Sequence, residues 1–529
     1  MYNINNNKRN KVGLGFFGII AFFAMIYSFI IIFPLFSSYF HDDDIWNFDD
    51  VVALKSKPFG YLHHAFVGVW WRPLAFFVMS YPYFIFGLNP QAFHWMGWVI
   101  HLISALTILL FTRRCFSLRP ALISFALYMI SPLAVSSVGF VTDTIQDEIS
   151  TILVFLSFFF SFSREKTLKD GPYFLPAFLW GVALLFKELV LGVLPTLILL
   201  DWFLFPKNKF TRRIMRLSPY VLALLLIPLR FLFVESYLSN FSSPLFSTYG
   251  PFIDIQNMSW SIILAFAPIV LQKSQTLLNE LLLLIPILLI IAVFAFSGQQ
   301  RSKIIFLLVV FVGMSFALIP AGMYLALGYW LHQWIRMPIL VAIAVIMLAL
   351  ICEGIISRVK SYILSLGISS SLIFCYVFLS TVMIDEVKKE MNRFDEITLV
   401  RYDALFKTVK SMPPGSLVYI ANIKTIPINL INDIVSKRGI QVTLLLKAAP
   451  DLKVLHNRNF LTNHVKLIFG NEQNYYIKEN YDLSKLDYQV MSNKEFTGYL
   501  RALAQDPCVH IVMFDSFSKW KDVTGDYRN

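Results

Sequence analysis

Three consecutive carboxylates, Asp42, Asp43 and Asp44, follow the first long apolar run in the stretch Phe40-His-Asp-Asp-Asp-Ile-Trp46. Carboxylates this close repel one another, which favours retention of a proton by one of them or neutralisation by a cation. Such a group suits a general base or a metal ligand. It equally suits a solvated acidic turn that caps the next helix. A second acidic set, Asp143, Asp147 and Glu148, lies between two later apolar runs, where Asp143 and Glu148 are also candidates for helix capping. Lys187 and Glu188 stand between two apolar runs with almost no loop. Ionisable groups at a membrane boundary are costly and commonly functional, the rival reading being a mutually neutralised structural pair. Arg230 lies inside Ile227-Pro-Leu-Arg-Phe-Leu-Phe233. Its guanidinium stays charged and binds phosphate in a bidentate way, or forms a salt bridge to Glu235 or a loop carboxylate.

His94 and His101 are seven residues apart and share one helix face. No third ligand stands at metal spacing, so interhelical hydrogen bonding is the preferred reading, and His63-His64 carry no stronger signal. The four cysteines show neither a disulfide framework nor zinc-type spacing.

The elements that position these residues are set by composition. A chain of 529 residues with 57% apolar content, 16% aromatics and a mean hydropathy of +0.64 is excluded as a water-soluble globule. Eleven apolar spans are expected, near 13–36, 93–111, 119–138, 148–163, 173–187, 189–205, 217–235, 280–297, 303–320, 337–352 and 362–383. The first follows Lys8, Arg9 and Lys11 but is too long for a cleaved leader, so it is read as a membrane helix. Pro73 to Phe86 and Met258 to Leu271 are shorter than a span and read as helices at the outer surface. With the N-terminus inside, the cytoplasmic segments hold 18 basic residues and the outer segments of the membrane domain hold 6. That asymmetry follows the positive-inside rule and accounts for the net charge of +12 without nucleic acid.

An odd number of spans puts residues 384–529 outside. This tail opens with an amphipathic helical stretch, Arg393 to Met412, and a turn at Pro413-Pro-Gly415. Short apolar runs follow at Ser416–Ile420, Val442–Leu446, Val465–Phe469 and Val509–Phe514, separated by polar segments. They read as buried strands of a small α/β domain. The expected fold is an all-α polytopic membrane domain over 1–383, with an outer loop at 37–92 carrying the acidic motif, and a C-terminal α/β extracytoplasmic domain.

Taken in order, the motifs resemble the GT-C membrane glycosyltransferases, specifically the protein O-mannosyltransferase-like branch. The matching features are the acidic cluster Asp42 to Asp44, Trp71-Arg-Pro-Leu74 leading to Phe86-Gly-Leu-Asn-Pro90, and Phe93-His94 with a histidine seven residues later. They continue with Ser131-Pro-Leu133 running to Asp147, then Leu184-Leu-Phe-Lys-Glu188 followed by Pro195. The branch often has an arginine before the second acidic loop, where this chain has Thr142-Asp-Thr-Ile-Gln146.

The resemblance implies an inverting transfer of sugar from a polyprenyl-phosphate donor, or a diphosphate-linked one, to an acceptor hydroxyl on a glycan, lipid or protein. Asp43 is the expected base, supported by Asp42 or Asp44, with Lys187 and Arg230 on the lipid phosphate. Asp147 and Glu188 are expected to orient the base or a cation, and Asp143, Arg72 and His94 complete the implied substrate site. The branch permits a divalent cation, Mg²⁺ or Mn²⁺, without requiring one. A bacterial inner membrane is the expected location, with membrane lipids as surroundings. The rival classes are a lipid or sugar transporter, which should show inverted repeats, and a non-catalytic scaffold with an outer binding domain.

Overall fold

The basic N-terminus and first apolar run form helix α1 (Tyr2–Ile32), closed by a 3-10 turn at Phe33–Ser37 in which Pro34 takes a position that needs no amide hydrogen. The computed structural model describes residues 2–54, 60–63, 72–163, 174–194, 210–226, 338–359, 361–421, 427–447, 465–469, 487–490, 493–514 and 520–528. After α1 come α2 (Asp42–Leu54), α3 (Pro73–Phe86), α4 (Pro90–Cys115), α5 (Leu118–Met129), α6 (Leu133–Gly139) and α7 (Val141–Ser163). Helices α8 (Phe174–Phe186), α9 (Phe210–Leu224), α10 (Pro338–Arg358) and α11 (Tyr362–Thr398) follow. The chain divides into two units, the first made of Met1–Ser38, Arg72–Val78 and Leu88–Asn392, the second of Tyr39–Trp71, Met79–Gly87 and Arg393–Asn529.

In the first unit, five described helices are long and apolar enough to cross a membrane, and the pair α5 and α6 makes a sixth if counted as one bent span. Side chains such as Phe22, Phe23, Ile30, Phe374 and Phe378 are exposed on them. Water does not tolerate so many large exposed apolar groups, and lipid does. The chain is therefore an integral membrane protein. Helix α10 is the inner element, buried at every residue from Pro338 to Met347, as expected of a helix apolar all round. Phe111 of α4 packs its ring within 6 Å of those of Phe155, Phe158 and Phe162 of α7.

Two expectations are corrected here. The run 119–138 is not one helix but α5 and α6, bent by 51°. Pro132 has no amide to donate to the Tyr128 carbonyl four residues back, and the Ser131 hydroxyl donates to that carbonyl at 2.7 Å instead. Helix α7 starts at Val141 and not near 148, so Asp143, Asp147 and Glu148 stand on a helix, and the supposed loop shrinks to Phe140. The expected spans 280–297 and 303–320, the helix Met258 to Leu271, most of 189–205 and the end of 217–235 lie outside the described residues.

The turn between α3 and α4 explains Phe86-Gly-Leu-Asn-Pro90 locally. Gly87 has φ of +59°, a left-handed conformation that ends α3, and its amide donates to the Tyr83 carbonyl at 2.8 Å. Asn89 then caps α4 through its side chain onto the Ala92 amide, with Pro90 in the first turn. Further along α4, Gly97 touches the backbone of α6: a Cβ built there would lie 2.2 Å from the Ser137 carbonyl oxygen. Backbone cannot yield as a side chain does. Gly97→Ala is therefore expected to destabilise the folded chain by about 1–3 kcal/mol, read as a lowered thermal midpoint in detergent.

The second unit holds a six-stranded sheet of order β4-β3-β2-β1-β5-β6. Its strands are β1 (Leu417–Ala421), β2 (Gln441–Lys447), β3 (Val465–Phe469), β4 (Asp487–Val490), β5 (Val509–Phe514) and β6 (Trp520–Asp522). All neighbours are parallel except β5 and β6, and Leu417 stands opposite both Gln441 and Val509. Parallel neighbours need crossovers. Helix α13 (Ile428–Val435) crosses between the neighbours β1 and β2, and α14 (Asn493–Ala504) leads from the edge strand β4 to β5 beside β1 and buries Leu500 and Ala504 on Val509 and Ile511. The amphipathic stretch before the sheet is the end of α11, a π-helical turn at Leu399–Asp403 and α12 (Ala404–Ser411).

Candidate active site

The first two turns of α7 carry charge on two faces. Asp143 lies in the first turn, where a carboxylate complements the helix dipole, and shares a face with Asp147 one turn on. Asp147 Oδ2 accepts from Lys187 Nζ at 2.9 Å, with both side chains under 5% exposed. Lys187 is held in extended backbone at the break between α8 and the 3-10 turn Glu188–Val193, and its amide donates to the Ala183 carbonyl at 2.9 Å. Buried ions in a membrane protein are sustained only by partners of this kind.

Arg72 joins the same group. It precedes Pro73, its carbonyl accepts from the Ala75 and Phe76 amides to start α3, and its side chain is buried. One guanidinium nitrogen donates to Gln146 Oε1, and the charges of Lys187, Asp143 and Arg72 all act on Asp147. The first unit thus assembles three sequence-predicted residues, Arg72, Asp143 and Lys187, around the Asp147 carboxylate.

Glu148 does not cap α7; it lies in the second turn and faces away from Asp147. Its Oε1 lies 2.8 Å from His101 Nδ1 and accepts from the Ser137 hydroxyl at 2.9 Å, and its Oε2 accepts from the Tyr128 hydroxyl at 2.8 Å. The His101 ring stacks on Tyr128 with centroids 5.0 Å apart. One carboxylate therefore ties α4, α5, α6 and α7 together, which fixes the rotation of α7 about its axis. Sequence spacing flagged His101 and Glu148 separately; only the fold joins them. Glu148→Gln keeps one acceptor but turns an amide towards a donor, and is expected to cost about 1–3 kcal/mol of stability. Thermal unfolding of the purified chain measures it.

His94 has a comparable bridging position: Nδ1 is 2.6 Å from the Val138 carbonyl oxygen and Nε2 is 3.2 Å from that of Ser38, with the ring fully buried. The geometry ties α4 to α6 and to the segment after α1.

In the second unit, Asp42, Asp43 and Asp44 are the first three residues of α2. Asp44 is buried, and its Oδ2 accepts from the His41 amide at 3.2 Å, the backward reach of the third helical residue in a capping box. The side chains of Asp42, Asp43 and Glu188, and all of Arg230, lie outside the described residues. Among the described residues no three His, Cys, Asp or Glu side chains are grouped to hold a metal. Tyr39, also in this unit, has its phenol pKa raised by burial and then by the Asp403 carboxylate.

Residues 64–231 match the model of the dolichyl-phosphate-mannose-protein mannosyltransferase family. No curated protein matches the chain in sequence. Among solved structures, ArnT from Cupriavidus metallidurans bound to undecaprenyl phosphate is similar at 11% identity and a TM-score of 0.51, over 95% of this chain and 94% of that one. The apo form of the same ArnT gives 12% identity and a TM-score of 0.47, over 95% and 93%. The archaeal oligosaccharyltransferase AglB from Archaeoglobus fulgidus, in complex with an inhibitory peptide and a dolichol-phosphate, gives 11% identity and a TM-score of 0.46 over 80% of this chain. The chain spans 64% of the length of AglB. Through the family match over 64–231 and the fold it shares with ArnT, the chain is similar to the GT-C-fold membrane glycosyltransferases.

Proposed function

We propose that the chain is an inverting glycosyltransferase that moves a sugar from a polyprenyl-phosphate donor to an acceptor hydroxyl on the outer face of the membrane. The observation that carries this reading is the buried Lys187–Asp147 pair with Arg72, inside the segment that matches the mannosyltransferase family. In this reading a carboxylate of α2, Asp43, takes the proton from the acceptor hydroxyl as its oxygen bonds to the first carbon of the sugar. The bond from that carbon to the phosphate oxygen breaks with inversion. Lys187, oriented by Asp147, and Arg230 stabilise the charge that develops on the departing phosphate. ArnT holds undecaprenyl phosphate, which supports a lipid phosphate as the leaving group. Peptide, glycan and lipid hydroxyls are the acceptor classes.

The same reading keeps eleven spans, a cytoplasmic N-terminus and residues 384–529 outside, in a bacterial inner membrane. The test is the purified chain in vesicles supplied with a radiolabelled polyprenyl-phosphate hexose and candidate hydroxyl acceptors. Donor consumption with a labelled product of inverted configuration is expected. Donor left intact with every acceptor class would remove the reading, and a reporter after Met383 found in the cytoplasm would remove its topology.

A further inference from the structure

Helix α13 (Ile428–Val435) begins after Pro427, which has no side-chain oxygen to satisfy the first-turn amides. The missing acceptor comes from α2. Asp49 Oδ1 accepts from the Leu430 amide at 2.8 Å, the position an N-cap side chain ordinarily serves, and Oδ2 accepts from Asn429 Nδ2 at 3.0 Å. All three residues are buried.

A second fastening lies one turn along α13, where the Tyr83 hydroxyl donates to Asp433 Oδ2 at 3.0 Å. Burial, and then the Asp433 carboxylate, raise the Tyr83 pKa, so the phenol stays a donor. The Phe48 ring of α2 stacks on Tyr83 at 5.6 Å, and Trp46 meets Tyr402 edge-on at 6.4 Å. Helix α2 is thus held by the two Asp49 bonds and two ring contacts, while Tyr83 links α3 to α13 beside it.

We propose that the C-terminal α/β domain is a positioning element for the acidic helix, with Asp49 as the positioning residue. Asp49 lies six residues after Asp43, about 9 Å along a rigid helix, so fixing one end against α13 fixes where the carboxylates at the other end stand. Only the kinetic arm of the test rests on the glycosyltransferase reading.

The test uses the full chain in nanodiscs, with Asp49→Ala, Asp49→Asn and Asn429→Ala, read by hydrogen exchange and by kcat and KM for a polyprenyl-phosphate hexose. Asp49→Ala is expected to speed exchange at least tenfold in both 42–54 and 428–435, with α4 and α7 unchanged, and to lower kcat about tenfold or more with KM within twofold. Asp49→Asn should recover most of both, since Asn429 can reverse its amide. Faster exchange in 428–435 with 42–54 unchanged would overturn the proposal, as would a chain-wide rise with kcat and KM failing together. If Asp49→Ala does not fold, the milder Asn429→Ala, which removes one of the two Asp49 bonds, decides by whether the same two segments loosen. A wild-type chain that transfers no sugar would end the glycosyltransferase reading, and the exchange data would still decide this one.

Discussion

Asp43→Asn is expected to lower the rate of sugar transfer by about 10²–10⁴-fold, the usual contribution of a positioned general base, with KM for the lipid donor little changed. The three acidic residues of α2 should not respond alike. Asp44 is the third helical residue and spends its carboxylate on the His41 amide, so Asp44→Asn should chiefly cost stability, about 0.5–2 kcal/mol. Asp42 and Asp43 precede it in the same turn, and the larger rate loss should fall on Asp43. Steady-state transfer assays on the three single variants measure the order. Full transfer by all three would mean that no carboxylate of this helix takes the acceptor proton.

Lys187→Met is the second large effect. It leaves Asp147 buried without its closest cation, which in comparable sites costs about 3–5 kcal/mol. If the ammonium also stabilises the departing phosphate, transfer should fall by about 10²–10³-fold in the fraction that folds. The double variant Asp147→Asn/Lys187→Met separates the two roles. Removing both charges should restore the thermal midpoint towards that of the parent while transfer stays low. Recovery of both together would identify the pair as structural alone.

Much of the helical framework was legible from hydropathy, because a membrane helix must be apolar over its whole length and the pattern is local. The strands at 417–421, 441–447, 465–469 and 509–514 coincide with short apolar runs for the same reason. The bend at Ser131-Pro132 was written in the sequence but masked by the hydropathy on either side. Hydropathy puts the start of α7 seven residues late, since Asp143 and Asp147 look like loop residues until Lys187 and Arg72 are brought to them from outside the helix. Glu148 shows the limit best. Its three partners come from three other helices, and no spacing rule relates Ser137, Tyr128 and His101 to one another. The pairing of Lys187 with Asp147, 40 residues apart, was equally invisible, although each residue stood out alone.

The Asp49–Asn429 hydrogen bond joins residues 380 positions apart, and that separation sets a clock during synthesis. At about 5–20 residues per second, α2 emerges and waits roughly 20–80 s before the helix that holds it has been made. Throughout that interval the acidic segment has no partner from the far end of the chain. A nascent chain halted before residue 428 would therefore carry Asp49 without the Leu430 amide and the Asn429 side chain that it meets in the folded chain.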